Sequence, residues 1–233
     1  MLIARVCSGK LSRRRAARAF GTSSQNEKYV PGKYASVYKQ STPEIYDRWA
    51  KDGYDEEVAT MSKAVESVAS QLVQKVKATA SCRRILDAGC GTGRVAECSL
   101  EVLAEAGFAV KFDGLDYSQG MLEVAQEKGN YEQLVQGDLT KALAFRDSEY
   151  CGVVSSGTFL QGHVGAEAIP ELTRILRPGG CMVFSVRPTF WEDTRTEWMA
   201  ALEKGGMEAI EVEMMPYAED MLAPIVSCTK RQE

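Results

Sequence analysis

Residues 85–93 constrain the fold of this chain more than any other stretch. They read as a short apolar strand that ends beside an acid, Asp87, and runs through three alternating glycines into a helical pattern. Glycines at such a turn allow backbone angles that other residues avoid, and they let the backbone approach a ligand closely. A buried strand that turns sharply into a helix in this way is typical of a parallel α/β sheet.

Strand and helix patterns alternate after this loop. The strands are predicted at 85–88, 110–115, 131–135, 151–155 and 181–186, with helical patterns at 94–106, 118–128 and 166–176. The tail differs, because 208–214 and 224–229 read as two strands with no helix between them. The sequence therefore predicts a doubly wound α/β fold: a mostly parallel seven-stranded sheet with an antiparallel C-terminal strand.

The chain before this core divides into three parts. Residues 25–40 read as a polar linker, and residues 41–80 as N-terminal helices before a core at 81–233. Thr42-Pro43-Glu44 is typical of a helix start. A second helix is predicted over 54–78, because its apolar residues recur at three- and four-residue steps. Those residues are Val58, Met61, Val65, Val68, Leu72 and Val76.

Residues 1–24 carry six basic residues and no acid, with several Ala and Ser residues between them. An Arg-rich, Ser-rich, acid-poor N-terminus is typical of a cleavable organelle transit peptide. Residues 18–23 also resemble the processing site of mitochondrial precursors. The expected location is the mitochondrial matrix; a plastid is the competing destination. A basic arm on a cytoplasmic protein is the alternative interpretation.

The remaining chain is acidic. The whole sequence has 28 basic and 32 acidic residues, so without the six basic residues of the N-terminus the balance is 22 to 32, a net charge of −10. Binding to a phosphate backbone needs a clustered basic face, so this balance argues against nucleic acid as a partner. No apolar run approaches the roughly 18–20 residues that span a bilayer, and no metal-ligand spacing is evident, so neither a membrane span nor a metal is expected.

Three acids follow three successive predicted strands: Asp87, Asp116 and Asp138. Asp116 lies 23 residues after Gly93, where a carboxylate can accept hydrogen bonds from both ribose hydroxyls. Asp138 could accept from an adenine amino group. The alternative is an NAD-type site, since Gly91-x-Gly93-x-x-Ala96 fits the dinucleotide pattern, but an acid two residues before the first glycine would repel pyrophosphate. Asp87 could also simply brace the loop.

These motifs resemble the class I S-adenosylmethionine-dependent methyltransferases. D-A-G-C-G-T-G is similar to their first motif, and the turn at 177–180 to the turn before their fifth strand; the likeness covers roughly 42–229. It implies a Rossmann-like methyltransferase fold with S-adenosylmethionine as the cofactor. The core residues that it implies for cofactor binding are Asp87, Gly89, Cys90, Gly91, Gly93, Asp116, Tyr117, Met121, Asp138, Leu139 and Ser155.

Two further segments, 46–55 and 168–172, resemble the methyltransferase-like family named for the Williams–Beuren syndrome chromosome region. In that family's pattern the N-terminal aromatic helix lies over the cofactor. The resemblance implies that Tyr46, Trp49 and Tyr54 form a lid, although simple helix packing is the alternative.

The acceptor side is less defined. His163, the sole histidine, follows the fourth strand and is a candidate general base. Trp191 and Trp198 either line a substrate pocket or pack a helix. A small-molecule acceptor is expected from the short chain and its acidic body. The alternatives are an organellar protein or RNA methyltransferase, and a non-catalytic cofactor-binding subunit. The acceptor atom and the oligomeric state stay open.

Overall fold

A computed structural model describes residues 42–78 and 83–232. The predicted transit peptide (1–24) and linker (25–40) lie outside the described residues, so both stay predictions. The described part begins with helices. These elements are α1 (Pro43–Lys51), α2 (Tyr54–Glu57), a 3-10 turn (Ala59–Met61) and α3 (Ser62–Ala78).

The remaining elements follow the predicted order, except that the helix after the fifth strand, α7 (Pro188–Lys204), was not predicted. They are β1 (Arg84–Ala88), α4 (Arg94–Glu105), β2 (Lys111–Asp116), α5 (Gln119–Lys128), β3 (Gln133–Gln136), β4 (Tyr150–Phe159), a 3-10 turn (Ala166–Ala168), α6 (Ile169–Ile175), β5 (Leu176–Val186), α7 (Pro188–Lys204), β6 (Met207–Ala218) and β7 (Met221–Lys230).

The seven strands form one sheet in the order β3-β2-β1-β4-β5-β7-β6. The neighbours from β3 to β5 pair in parallel, whereas β7 pairs antiparallel with both β5 and β6. The predicted doubly wound, mostly parallel sheet with an antiparallel C-terminal strand is confirmed. Because chain order reverses beside β1, the helices that follow β1 and β4 lie on opposite faces of the sheet, which leaves a crevice between the two connections.

Helices cover both faces of the sheet because its strands are apolar on both sides. Neighbouring residues of β1 show this: Ile85 packs with Leu72 of α3 and Leu103 of α4, whereas Leu86 belongs to the opposite core with Trp198 of α7. All five of these side chains are fully buried. Such two-sided burial is what makes the parallel strands read as nearly continuous apolar runs.

Several element boundaries differ from the predictions, since β4, for example, reaches Phe159 rather than 155, and two of the differences change the local structure. The helix predicted over 54–78 is interrupted by the 3-10 turn at Ala59–Met61. The reason is that Val58 packs beside Trp49, whereas α3 packs on the sheet, and one straight helix does not serve both contacts. Strand β5 begins at Leu176 rather than at 181, and the predicted turn at 177–180 is an irregularity within it, between the pairs Tyr150–Leu176 and Gly152–Cys181.

Candidate functional site

A cavity of about 360 Å³ lies at the carboxyl ends of the parallel strands. Its floor is the glycine loop after β1 and the ends of β2 and β4, and its roof comes from the N-terminal helices. Doubly wound sheets bind ligands in this crevice, and the volume falls within the range of small-molecule sites. Among the residues described, no helix is long and apolar enough to cross a membrane, and no group of three or more potential ligands could hold a metal ion.

The glycine loop is tight enough that its glycines are needed. Gly89 has a φ of +75°, and a Cβ there would overlap the side chain of Thr158. Gly93 has a φ of +89°, and a Cβ there would lie 2.9 Å from the Tyr131 ring. The carbonyl of Leu115 accepts hydrogen bonds from the amides of Gly89 (2.7 Å) and Cys90 (3.0 Å), which fixes the loop against β2. The backbone therefore forms the cavity floor at this point.

Asp116 ends β2 and lines the cavity beside this loop. One carboxylate oxygen accepts from the Gly91 amide (2.8 Å) and the other from the Ser118 amide (2.9 Å). Burial raises the pKa of Asp116, while these two hydrogen bonds act in the opposite direction. The carboxylate is therefore held in one orientation by two separate loops, and each oxygen has a further lone pair for a ligand hydroxyl.

Most of the other predicted core residues also line the cavity. Asp138 follows β3, and its carboxylate accepts from the amide (2.8 Å) and hydroxyl (2.7 Å) of Thr140. This turn keeps Asp138 next to Asp116 on one side of the cavity. Seven more of the predicted residues line it: Gly89, Cys90, Gly91, Tyr117, Met121, Leu139 and the catalytic candidate His163.

Three predicted cofactor residues lie outside the lining. Asp87 is fully buried under the loop and accepts from the Tyr131 hydroxyl (2.7 Å). Burial raises the pKa of Asp87 to about 7. Gly93 begins α4, and Ser155 is buried with its hydroxyl donating to the Ala88 carbonyl (2.7 Å). These three residues therefore support the glycine loop instead of lining the cavity. Ser156, which follows Ser155 in the chain, does line the cavity.

Three aromatic side chains of the N-terminal helices, Tyr46, Trp49 and Tyr54, line the cavity from above. Tyr46 and Trp49 stack with ring centroids 5.8 Å apart, and Tyr54 meets Trp49 edge-on at 4.7 Å. The Trp49 indole N–H donates to Glu57 (2.6 Å), which fixes the ring. The sequence left open whether these aromatic residues only pack the helices or also face the cavity. In the structure they do both.

Two aspartates that sequence reasoning passed over attach the N-terminal helices to the core. Asp47 accepts from the Ser118 hydroxyl (2.6 Å) and the Gly120 amide (2.8 Å) at the start of α5. Asp55 accepts from Thr92 in the glycine loop and from Lys128 (2.6 Å). Both lie inside the segment whose aromatic residues carried the resemblance, but no local pattern identifies their partners. They hold the roof closed over the loop.

His163 lies where the roof meets the loop after β4. Its Nε2 is 2.7 Å from the Tyr46 hydroxyl, and its Nδ1 is 3.4 Å from the Gln161 carbonyl. Burial lowers the pKa of His163 to about 4, so the ring is neutral at pH 7. With Nδ1 protonated toward Gln161, Nε2 accepts from Tyr46. Histidine in this state is a weak base, and it connects the roof to the loop after β4.

The cavity also has polar lining residues that were not predicted. Arg187 directly follows β5, and Tyr217 lies near the end of β6. Arg187 could have been found by the rule that functional residues follow the ends of parallel strands; Tyr217 is brought there by the tertiary structure. Trp191 and Trp198 are buried in the core around α7 and do not line the cavity, which decides between their two interpretations.

The seven-stranded fold is the Rossmann-like fold of methyltransferases. Residues 85–180 match a family model described as a methyltransferase domain. The chain is 34% identical to human methyltransferase-like protein 27 over 169 residues, which covers 70% of this chain and 66% of that protein. It is 32% identical to the malonyl-[acyl-carrier protein] O-methyltransferase of Brevibacillus brevis over 168 residues, covering 67% of this chain and 58% of that enzyme.

Solved structures agree on the fold. A Methanococcus maripaludis protein, described as an S-adenosyl-L-methionine-dependent methyltransferase, superposes with a TM-score of 0.60 at 17% identity and covers 80% of this chain and 94% of that one. DesVI of Streptomyces venezuelae gives a TM-score of 0.56 at 20% identity, covering 77% and 98%. The chain spans about two thirds of the human relative's length and less of the bacterial enzyme's.

Proposed function

We propose that this chain binds S-adenosylmethionine in the cavity and transfers its methyl group to a small-molecule acceptor. The observation that carries the proposal is the Asp116 carboxylate, fixed by the Gly91 and Ser118 amides at the edge of a cavity with Asp138 beside it. Two acids at this end suit ribose hydroxyls and an adenine amino group and disfavour a pyrophosphate. These two carboxylates therefore fit an adenosyl group that carries a sulfonium better than a dinucleotide.

In this proposal the chain's residues orient the reactants and exclude water. Asp116 accepts from the ribose hydroxyls, Asp138 is placed at the adenine edge, and the Tyr46–Trp49–Tyr54 cluster closes the roof. The cofactor supplies a methyl group activated by its positively charged sulfur. Orientation and a dry site contribute up to about 7–11 kcal/mol in well-oriented systems, so a site without a strong base can still accelerate direct methyl transfer.

The named relatives support a small-molecule acceptor. One is a malonyl-[acyl-carrier protein] O-methyltransferase, and another, from Renibacterium salmoninarum, is a demethylmenaquinone methyltransferase, 34% identical over 46% of this chain. The net charge of −10 outside residues 1–24 gives a phosphate backbone little to bind. Turnover with small-metabolite fractions but not with protein or RNA fractions would separate this proposal from a macromolecular substrate.

We also propose two finer assignments. The Tyr46–Trp49–Tyr54 roof supports membership of the Williams–Beuren chromosome-region family of methyltransferase-like proteins. The basic, acid-free residues 1–24 support delivery to the mitochondrial matrix. A fluorescent protein fused to residues 1–30 should enter mitochondria, and diffuse cytosolic fluorescence would contradict the targeting proposal.

The decisive experiment is calorimetric titration of the full chain with S-adenosylmethionine, S-adenosylhomocysteine and NAD. Micromolar binding of the first two ligands and none of NAD is the expected result. Binding of NAD alone would overturn the proposal. Binding of the adenosyl ligands without turnover on any acceptor fraction would favour a cofactor-binding subunit.

A further inference from the structure

Two polar side chains of the cavity lining meet where the roof joins the glycine loop. Arg94 is the first residue of α4, directly after the loop, and Tyr54 is the first residue of α2 in the roof. Burial raises the pKa of Tyr54, and the positive charge of Arg94 acts in the opposite direction. The guanidinium and the phenol therefore lie near each other at one edge of the cavity.

Arg94 uses little of its hydrogen-bonding capacity within the protein. The side chain is half-buried, and one of its N–H groups donates to the Val58 carbonyl at 3.4 Å, a long hydrogen bond. Two acids of the same region, Asp55 and Glu97, pair with Lys128 instead. A guanidinium has five N–H donors, so Arg94 can donate to a ligand and keep its contact with the roof.

The Tyr54 hydroxyl is a second donor at this edge. The Tyr54 ring is fixed edge-on against Trp49, with ring centroids 4.7 Å apart. Among the described residues, none forms a hydrogen bond with the Tyr54 hydroxyl, whose surroundings act on it only through burial and nearby charges. Since tyrosine hydroxyls inside proteins usually have a partner, this one is placed to donate to a ligand in the cavity.

A carboxylate is the group that suits these donors. A planar guanidinium matches its two oxygens, and such charge-assisted pairs are short and strong. The N-terminus of α4, where Arg94 lies, adds a partial positive charge. A phosphate suits the position less well, because Asp116 is close enough to act on the same Tyr54 hydroxyl and would repel a second negative charge.

We propose that Arg94 and Tyr54 bind the amino-acid carboxylate of the cofactor. This inference rests on the proposed function, because it assigns the other end of the ligand whose ribose Asp116 would hold. Asp116 accepts from the Gly91 amide, and Arg94 follows Gly91 by three residues. Three residues span at most about 11 Å, so an amino-acid chain that leaves the ribose and crosses the glycine loop reaches Arg94. A carboxylate on the methyl acceptor is the other source of the same chemistry.

The test compares two ligands of the full-length protein by calorimetry. They are S-adenosylhomocysteine and its decarboxylated analogue, which keeps the amine and lacks only the carboxylate. The wild type should bind S-adenosylhomocysteine about tenfold or more tightly than the analogue. Arg94→Gln should remove that preference without weakening the analogue, and Arg94→Lys should keep part of it. Tyr54→Phe should reduce the preference by about threefold.

The matched control is Arg48→Gln. Arg48 also belongs to the roof and donates to a carbonyl at 3.4 Å, that of Glu44, but it is exposed and outside the cavity lining. This variant should bind both ligands as the wild type does. Thermal unfolding would confirm that each variant is folded.

Three results would overturn the inference, and each differs from failure of the proposed function. The first is equal binding of the two ligands by the wild type. The second is an Arg94→Gln protein that is weakened equally for both ligands, which would make Arg94 a support of the roof through Val58. The third is an Arg94→Gln protein that keeps the full preference. If that protein, saturated with S-adenosylhomocysteine, also fails to bind hexanoate that the saturated wild type binds, the carboxylate belongs to the acceptor. Failure of the wild type to bind S-adenosylhomocysteine would instead refute the proposed function.

Discussion

Replacing Asp116 with alanine removes the group on which the proposed cofactor site depends. The change deletes both carboxylate oxygens, and with them the acceptors for the Gly91 and Ser118 amides and for the ribose hydroxyls of a bound cofactor. The glycine loop loses one of its connections to β2, the Gly91 hydrogen bond, and keeps those of Gly89 and Cys90 to the Leu115 carbonyl. Ligand affinity should therefore fall for two reasons, a lost contact and a less ordered loop.

The magnitude follows from the hydrogen bonds involved. A hydrogen bond to a charged group contributes about 1.5–3 kcal/mol, and about 1.4 kcal/mol corresponds to a factor of ten in affinity. Loss of one effective ribose interaction in Asp116→Ala should weaken S-adenosylhomocysteine binding by about 10-fold to about 150-fold. Asp116→Asn should also weaken binding, since its amide NH₂ would face one of the two backbone N–H donors.

Calorimetry would measure both affinities, with thermal unfolding as the check that each variant is folded. Asp147→Asn is the control, because Asp147 is an exposed aspartate outside the cavity that pairs with Arg174. It should bind S-adenosylhomocysteine as the wild type does. A folded Asp116→Ala protein with an affinity within about twofold of the wild type would refute the assignment of Asp116 to the cofactor.

Three more changes test the roof, the buried acid and the core. Gly120→Ala would place a Cβ 2.8 Å from the Asp47 Cα. The change should lower the free energy of unfolding in urea by about 1–3 kcal/mol and weaken S-adenosylhomocysteine binding by displacing α1. Unchanged affinity would contradict that role of the roof. Asp87 has its pKa raised to about 7, so the folded protein holds a proton that the unfolded chain releases near pH 4; stability should fall as pH rises from about 4 to 7. Asp87→Asn should flatten that slope, and an equal slope in both proteins would contradict the assignment. Trp198→Ala should lower the free energy of unfolding by about 3–5 kcal/mol. It should leave the affinity of the folded protein for S-adenosylhomocysteine unchanged, because Trp198 is fully buried away from the cavity. A selective loss of affinity would contradict its core role.

The strand-and-helix order could be read from the sequence because it depends on local patterns. Alternating apolar runs, the glycine loop and the helix start at Thr42-Pro43 each act within a few residues. Asp116 and Asp138 were found by the same kind of reasoning, since parallel strands bring their carboxyl ends to one edge of the sheet. The carboxyl-end rule therefore predicts which acids share the cavity, without any knowledge of their contacts.

The sequence by itself determined the sheet, the glycine loop and the strand-end acids, because these follow from periodicity and from backbone geometry at single positions. The tertiary structure decided which polar groups face the cavity. It buried Asp87 against Tyr131, attached the roof through Asp47, and brought Arg187 together with Tyr217 from strands that are neighbours of β7. These contacts join residues far apart in the chain, and their energies depend on distance and burial, which no local pattern of residues contains.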